Sequence, residues 1–471
     1  MTILITLVAY QVVLLGIGYW ARSRATTTDG YFLGDRGLGP WVASLSYAAG
    51  SSSAWSILGV SGIAFSEGLG SFWLLPGTIS GHIVVWYVIA PWLRKASHEK
   101  GWLTLTDLIV DGLSPSQAKL CARISAVIVL FAFTFYIAAQ FQGAANTFTA
   151  VFDFDFLSAL LLGAVIVVLY TLWGGFWAVS LTDALQAVLM LVAAILLPIF
   201  ALVEVGGFSV LLDAATNDGY WHWSGGHTGW FGIGFFIGMV SIGFGPIGQP
   251  HLLTRVMAIA DGRKITQARI VAISWFTVVL GGMFLLGVCG HLLVVDQVDN
   301  EQIFFVLAAD LLPTVVTGVL IAAVLSAIMS TADSQLLVAG SALHHDLKLD
   351  KKAKDPGKSA RLAVAVVAVA AVVLAVLLPE SIFSRVLFAW TALGAAFGPI
   401  VLIRFLKWSV RPGAVPIAML GGFGLTVVFY SLPNGPGDVW ERAVPFVTAF
   451  VTLWLARTST EESNNGKESA S

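Results

Sequence analysis

The stretch from Val315 to Gln335 is the feature that most constrains this chain. It is long enough to cross a bilayer, yet its second half reads Ser326-Ala327-Ile328-Met329-Ser330-Thr331-Ala332-Asp333-Ser334-Gln335. A carboxylate at lipid depth costs roughly 2.5–3.5 kcal/mol on insertion scales, so it needs a partner or a task. On a helix Ser330, Asp333 and Ser334 stand at i, i+3 and i+4 and share one face. That face offers hard oxygen ligands, suited to a small cation such as sodium and poorly suited to zinc or copper. The competing reading is a hydrogen-bonded seam between two membrane helices. Asp333 favours the ion.

Composition sets the class. The 471 residues are 57% hydrophobic and only 11% charged, against about 25% charged for soluble domains. A polytopic, all-α membrane protein is expected, in contact with the lipid bilayer and with no nucleic-acid partner. The two cysteines, Cys121 and Cys289, lie in apolar runs without metal-ligand spacing. No basic leader precedes the apolar start, so a first span is expected there rather than a signal peptide.

Thirteen stretches of lipid length can be drawn, at about 2–22, 40–66, 70–94, 122–150, 156–176, 180–204, 230–256, 268–295, 303–343, 359–378, 383–406, 412–431 and 437–457. With the N-terminus outside, 23 of the 25 Lys and Arg fall on the inner side, leaving Arg385 and Arg442. That positive-inside pattern predicts an N-out, C-in chain. The Trp-rich segment 205–229 reads as an interfacial cap, and His344-His345 as a solvated helix end. The polar segment 458–471 reads as a disordered cytoplasmic tail.

Two spans carry polar, glycine-rich interruptions. One is Ala48-Ala49-Gly50-Ser51-Ser52-Ser53-Ala54-Trp55; the other is Gly243-Phe244-Gly245-Pro246-Ile247-Gly248-Gln249-Pro250-His251. Proline removes a backbone donor and frees a carbonyl one turn earlier. Serines can refill hydrogen bonds in an unwound stretch. Broken helices at matching positions of two halves point to a transporter's binding site. Spans 2–6 (40–204) and 7–11 (230–406) would form repeats of five, and an odd-numbered repeat inverts its topology. Residues 1–39 would then supply a first helix and inner loop, and 412–457 two additional helices, all in one domain over 1–457.

These segments carry a family resemblance. Tyr31-Phe32-Leu33-Gly34-Asp35-Arg36-Gly37, Gly174-Gly175-Phe176-Trp177, Gly248-Gln249-Pro250-His251, Met329-Ser330-Thr331 and Ala389-Trp390 together resemble the sodium/solute symporters, most closely the bacterial sodium/proline symporters. The resemblance implies a leucine-transporter type fold, sodium as coupling ion, no cofactor and no enzymatic activity. It implies a bacterial inner (plasma) membrane location. It places a main sodium site at Ala49, Ser52, Ala327, Ser330 and Thr331. A second cation site, as in some members, maps to Asp183, Ser330, Asp333 and Ser334; alternatively Asp183 caps its helix and Asp333 faces inner water. The substrate pocket is expected at Ser51, Ser53, Trp55, Tyr136, Phe244 and Gln249. Proline symporters carry an acidic residue where this chain has Ser51, and Trp and Tyr where it has Ile242 and Pro246. Import of proline or a related amino acid is therefore expected, with another small organic solute (an organic acid, compatible solute, vitamin or sugar) as the alternative. A transporter-like membrane sensor is a third reading.

Overall fold

In the computed structural model, residues 2–21, 28–214, 221–294, 298–343, 356–377, 381–433 and 435–458 are described; His344, His345 and the segment from 459 onward lie outside them. Nearly everything described is helical. Eight segments are long and apolar enough to cross a membrane, judged by length and composition, and three shorter apolar helices accompany them.

Helix α1 (Thr2–Ala21) lies at the edge and shows Ile5, Val8, Val12 and Val13 to the outside. Helix α2 (Pro40–Ser51) leads through a break to the π-helical turn Trp55–Gly59 and α3 (Val60–Glu67). Helix α4 (Leu74–Ile83) continues through a second π-helical turn into α5 (Ala90–Lys100). Then come α6 (Pro115–Phe152) and α7 (Phe156–Val205). Helix α8 (Gly229–Ser241) tightens into a 3-10 segment, Ile242–Gly248, before α9 (Pro250–Met257). The remainder is α10 (Ile265–Leu293), α11 (Ile303–Leu311), α12 (Thr314–Ser341), α13 (Pro356–Leu377), α14 (Ile382–Phe405), α15 (Ala414–Tyr430) and α16 (Val444–Leu455).

The core is built on α12 and α14. Their most apolar windows are 83% and 94% buried, against 17% for α1. So the helix with the most unusual polar content is also among the best shielded from lipid.

Two element boundaries differ from expectation. Residues 156–176 and 180–204 form two helices as expected, but no loop separates them: within α7 they meet at a kink at Gly175 (φ 60, ψ 176), a conformation that favours glycine. Asp183 consequently sits eight residues past the kink, inside α7, and does not cap a helix. The span expected over 303–343 is split, because Leu312 precedes Pro313 and is pushed into extended backbone (φ −124, ψ 148).

Close backbone approach locks the second break in place. Gly245 packs against the indole of Trp390 so tightly that a Cβ would fall within the ring. Trp390 Nε1 donates to Ile242 O at 3.0 Å, and Gln249 Nε2 donates to Trp390 O at 2.9 Å. One α14 residue thus holds both ends of the 3-10 segment. Gly245→Ala should therefore destabilise the protein by about 1–3 kcal/mol, the usual cost of overpacking. Gly281→Ala on α10, where a Cβ meets open space, should be tolerated. Melting curves in detergent check the pair; equal thermal stability of the two variants would refute the packing account.

Candidate functional site: a cation cradle beneath a buried aromatic cavity

The α2 break begins where Ser52 leaves helical geometry (φ −98, ψ 85). The amides beyond it find side-chain acceptors. Ala54 N–H donates to Gln140 Oε1 of α6 at 3.0 Å, and Trp55 N–H to Ser53 Oγ at 3.2 Å. The carbonyls before it are met by α12. Ser330 Oγ lies 3.1 Å from Ala49 O and 3.3 Å from Ala327 O, while Thr331 Oγ1 lies 3.4 Å from Ala49 O and 3.2 Å from Gly50 O. All are buried. Of the expected main-site residues, Ala49, Ala327, Ser330 and Thr331 are brought together. Ser52 is buried beside them with its hydroxyl lacking a protein partner. Gly50 O joins the cluster as a contact absent from the sequence reading. Backbone carbonyls and hydroxyls are all hard oxygens, a donor set that fits sodium. Hydroxyls here are each the donor to a carbonyl; a bound cation would turn both groups into ligands.

The second expected cluster also gathers, with an addition. Asp183 on α7 accepts from Ser46 Oγ at 2.7 Å and pairs with Arg255 Nη2 at 3.1 Å. Ser334 Oγ accepts from Arg255 Nη2, donates to Ser330 O at 2.6 Å and lies 3.3 Å from Asp333 Oδ1. The positive charge beside Asp183 therefore belongs to the chain itself. The sequence reading counted Arg255 with the inner-side charges, at the inner end of the span drawn over 230–256; the structure buries it to 1% exposure. Its sequence signal was its position four residues after His251, still inside the span drawn over 230–256.

Beside the break lies a closed cavity of ≈ 10 Å³, room for about one water. It is lined by Ser51, Trp55, Tyr136, Thr78, His82 and Trp390, among others. Three of these were expected. Tyr136 OH reaches Ser53 Oγ at 3.5 Å, which ties Ser53 to the same wall. Gln249 is buried but turned to Trp390 O, and Phe244 stacks on Phe446 of α16 with centroids 4.3 Å apart; neither lines the cavity. Sequence reasoning missed Thr78 and His82 because α4 is apolar overall and shows no break there. His82 stacks on Phe276 at 3.8 Å and hydrogen-bonds Tyr47 OH at 3.0 Å.

A wider cavity of ≈ 520 Å³ opens on the side of Asp299, Asn300 and Glu301, with Gly59, Gln142 and Phe383 in its wall. Trp55 of the small cavity stacks on Phe383 of the large one, centroids 6.3 Å apart. That pair joins the wall of one space to the wall of the other. Glu301 Oε1 accepts from Phe383 N–H at 3.0 Å and fixes the ring's position. Burial raises the Glu301 carboxyl above the usual carboxylate range, and the hydrogen bond from Phe383 works against that rise.

Known proteins resemble this chain along most of its length. Residues 31–422 match the profile of the Sodium:solute symporter family. The chain belongs to that family. This sodium:solute symporter is 34% identical over 464 residues to the osmoregulated proline transporter OpuE of Bacillus subtilis, covering 95% of this chain and 93% of that protein. It is 34% identical to a sodium/proline symporter of Staphylococcus aureus over 443 residues, or 90% and 85% of the two chains. In structure it resembles a Na+-coupled sialic acid symporter, with TM-score 0.76, 17% identity, and 97% and 99% coverage. It also resembles Mhp1, a nucleobase-cation-symport-1 family transporter, with TM-score 0.54, 12% identity, and 90% and 94% coverage. These likenesses establish the leucine-transporter type fold. The symporter is a multi-pass plasma-membrane transporter, not an enzyme.

If Ser330 and Thr331 hold sodium, removing one hydroxyl forfeits a charge-assisted contact of about 1.5–3 kcal/mol. Ser330→Ala or Thr331→Ala should then raise the sodium concentration for half-maximal uptake by roughly ten- to hundredfold. Sodium titration of uptake, corrected for surface expression, is the measurement. An unmoved half-maximal concentration in both variants removes the site.

Proposed function

We propose that this symporter imports proline or a closely related small amino acid, coupled to sodium bound by Ala49, Ser52, Ala327, Ser330 and Thr331. The observation that carries the reading is the meeting of α12 hydroxyls with the carbonyls freed at the α2 break, one wall away from a closed aromatic cavity. Sodium binding there would hold α2 against α12 and so shape the cavity floor at Ser51 and Ser53. The solute would sit between Trp55 and Tyr136, whose rings and polar tips suit a small amphipathic molecule, once the cavity widens from its present room for about one water. Entry is from the wide cavity, past the Trp55–Phe383 pair. We further infer an N-out, C-in chain of thirteen spans with the two breaks opening inverted repeats, a reading supported by the charge distribution. The proline assignment draws its support from the two relatives, whose names specify proline.

A second reading, another small organic solute, is favoured by one local observation. The cavity presents Ser51 rather than a carboxylate to the solute, and adds His82 and Thr78, whose Oγ1 has no protein partner. A solute richer in acceptors than a simple amino acid would use those donors.

Driving force permits either. One charge moving through ~100 mV is worth roughly 2.3 kcal/mol, and a tenfold sodium gradient adds about 1.4 kcal/mol. A single sodium could concentrate a neutral solute on the order of 500-fold.

The decisive experiment is uptake of radiolabelled proline into liposomes holding the purified protein, with and without a sodium gradient, against a panel of unlabelled amino and organic acids. Sodium-dependent proline uptake, competed best by proline, is expected; uptake competed only by another class of solute replaces proline. Trp55→Ala and Tyr136→Ala should each weaken solute affinity by roughly tenfold or more, as expected for truncating an aromatic contact, while sodium binding measured without solute changes little. Wild-type solute affinity in both would place the pocket elsewhere.

A further inference from the structure

Two acidic side chains and one basic one are buried together next to the proposed sodium cradle. Asp183 of α7 and Asp333 of α12 are both fully buried, and Arg255 of α9 is almost so. Every nitrogen of the guanidinium has a partner. Nε donates to Ser46 Oγ at 3.1 Å, Nη1 to His251 O at 2.6 Å, and Nη2 to Asp183 and Ser334. The ring of Phe176 lies under its face at 5.3 Å. Arg255 thus binds α2, α7, α9 and α12 at one point. The carboxylates are less well served, since Asp183 Oδ1 and Asp333 Oδ2 lack hydrogen-bond partners.

This cluster adjoins the sodium cradle. A Cβ built at Gly50 would stand 3.8 Å from Arg255 Nε, 3.4 Å from Ser334 Oγ and 3.8 Å from Ser330 O. Gly50 O is itself a cradle atom. A cation on Ala49 O, Ser330 and Thr331 would therefore lie within the field of all three charges, where little water screens them. With both carboxylates ionised, two negative charges and one positive leave a single uncompensated negative charge. Burying it without a counter-ion is costly. One sodium in the cradle brings the total to zero.

We propose that Arg255 is a tethered cation that sets the sodium stoichiometry at one. It pairs with Asp183 and Ser334 of the cluster expected to hold a second cation, with Asp333 next to Ser334 on α12, and it leaves one negative charge for the cradle sodium to neutralise. The inference rests on the reading of the cradle as a sodium site, and it replaces the second mobile cation with a fixed one. Arg255 is a positioning and charge-setting residue; it does not ligate the ion. A second consequence follows from the geometry. Because Ser334 links Arg255 to the Ser330 carbonyl, sodium affinity should respond to Asp333 even though Asp333 is no ligand of the cradle.

The test counts bound sodium per chain, by equilibrium binding of radioactive sodium to purified protein in detergent at alkaline pH, with no solute present. The wild type should bind one. Arg255→Gln, which keeps hydrogen-bonding groups but removes the charge, should bind two. The double variant Arg255→Gln/Asp183→Asn should return to one. Asp333→Asn leaves the Arg255–Asp183 pair intact and guards against loss of fold; it should weaken sodium binding by roughly tenfold or more, as removal of a buried opposite charge requires. Two sodium ions on the wild type, one on a well-folded Arg255→Gln, or unchanged affinity in Asp333→Asn would each overturn the proposal. No sodium on the wild type would overturn the cradle itself, and that result is distinct from the other three.

Discussion

The structure depends on a constraint that lipid imposes. A helix broken inside a bilayer exposes amides and carbonyls that no water can reach, and each must find a partner within the protein. At the α2 break the amide of Ala54 is taken by Gln140, and the carbonyls of Ala49 and Gly50 by Ser330 and Thr331. The polar residues of α6 and α12 are therefore not optional decoration of apolar helices. They are what allows α2 to unwind where it does. On the proposed reading the same arrangement would release those carbonyls to a cation, because a hydroxyl that donates to a carbonyl can rotate and ligate instead.

The two breaks are stabilised by different physics. In α2, side-chain hydrogen bonds replace the lost helical ones. Between α8 and α9, Pro246 and Pro250 remove donors, and Trp390 closes the gap by packing and by two hydrogen bonds. The first is held by polar groups and can respond to an ion. The second is held by a bulky ring against glycine backbone, a contact that tolerates little movement. This difference suits a transporter in which one break senses the coupling ion while the other forms a firm wall.

Much was legible in the sequence because it follows from local rules. Lipid-length apolar runs specify helices, and glycine, proline and serine clusters specify where they fail. The spacing of Ser330, Asp333 and Ser334 places them on one face whatever they pack against. Ser51, Trp55 and Tyr136 came from the family resemblance, and they do line the small cavity. Phe244 and Gln249 came from the same resemblance, yet the structure turns them toward Phe446 and Trp390, since direction around a 3-10 turn is not read from spacing. His82 and Thr78 gave no signal, as each is one polar residue in an apolar helix.

What the sequence determined by itself was the class of the chain, its helical segments and the oxygen-rich face of α12. These depend on hydrophobicity and periodicity alone. What only the tertiary structure decided was which partner each buried polar group takes. Asp183, Arg255 and Asp333 lie 72 and 78 residues apart along the chain in turn; the family resemblance put the two acids together, and nothing announced that Arg255 joins them. Their encounter is fixed by how α7, α9 and α12 cross. A buried charge is defined by what stands next to it in space, and in this molecule that neighbour is an arginine which, in sequence, looks like the inner end of a span.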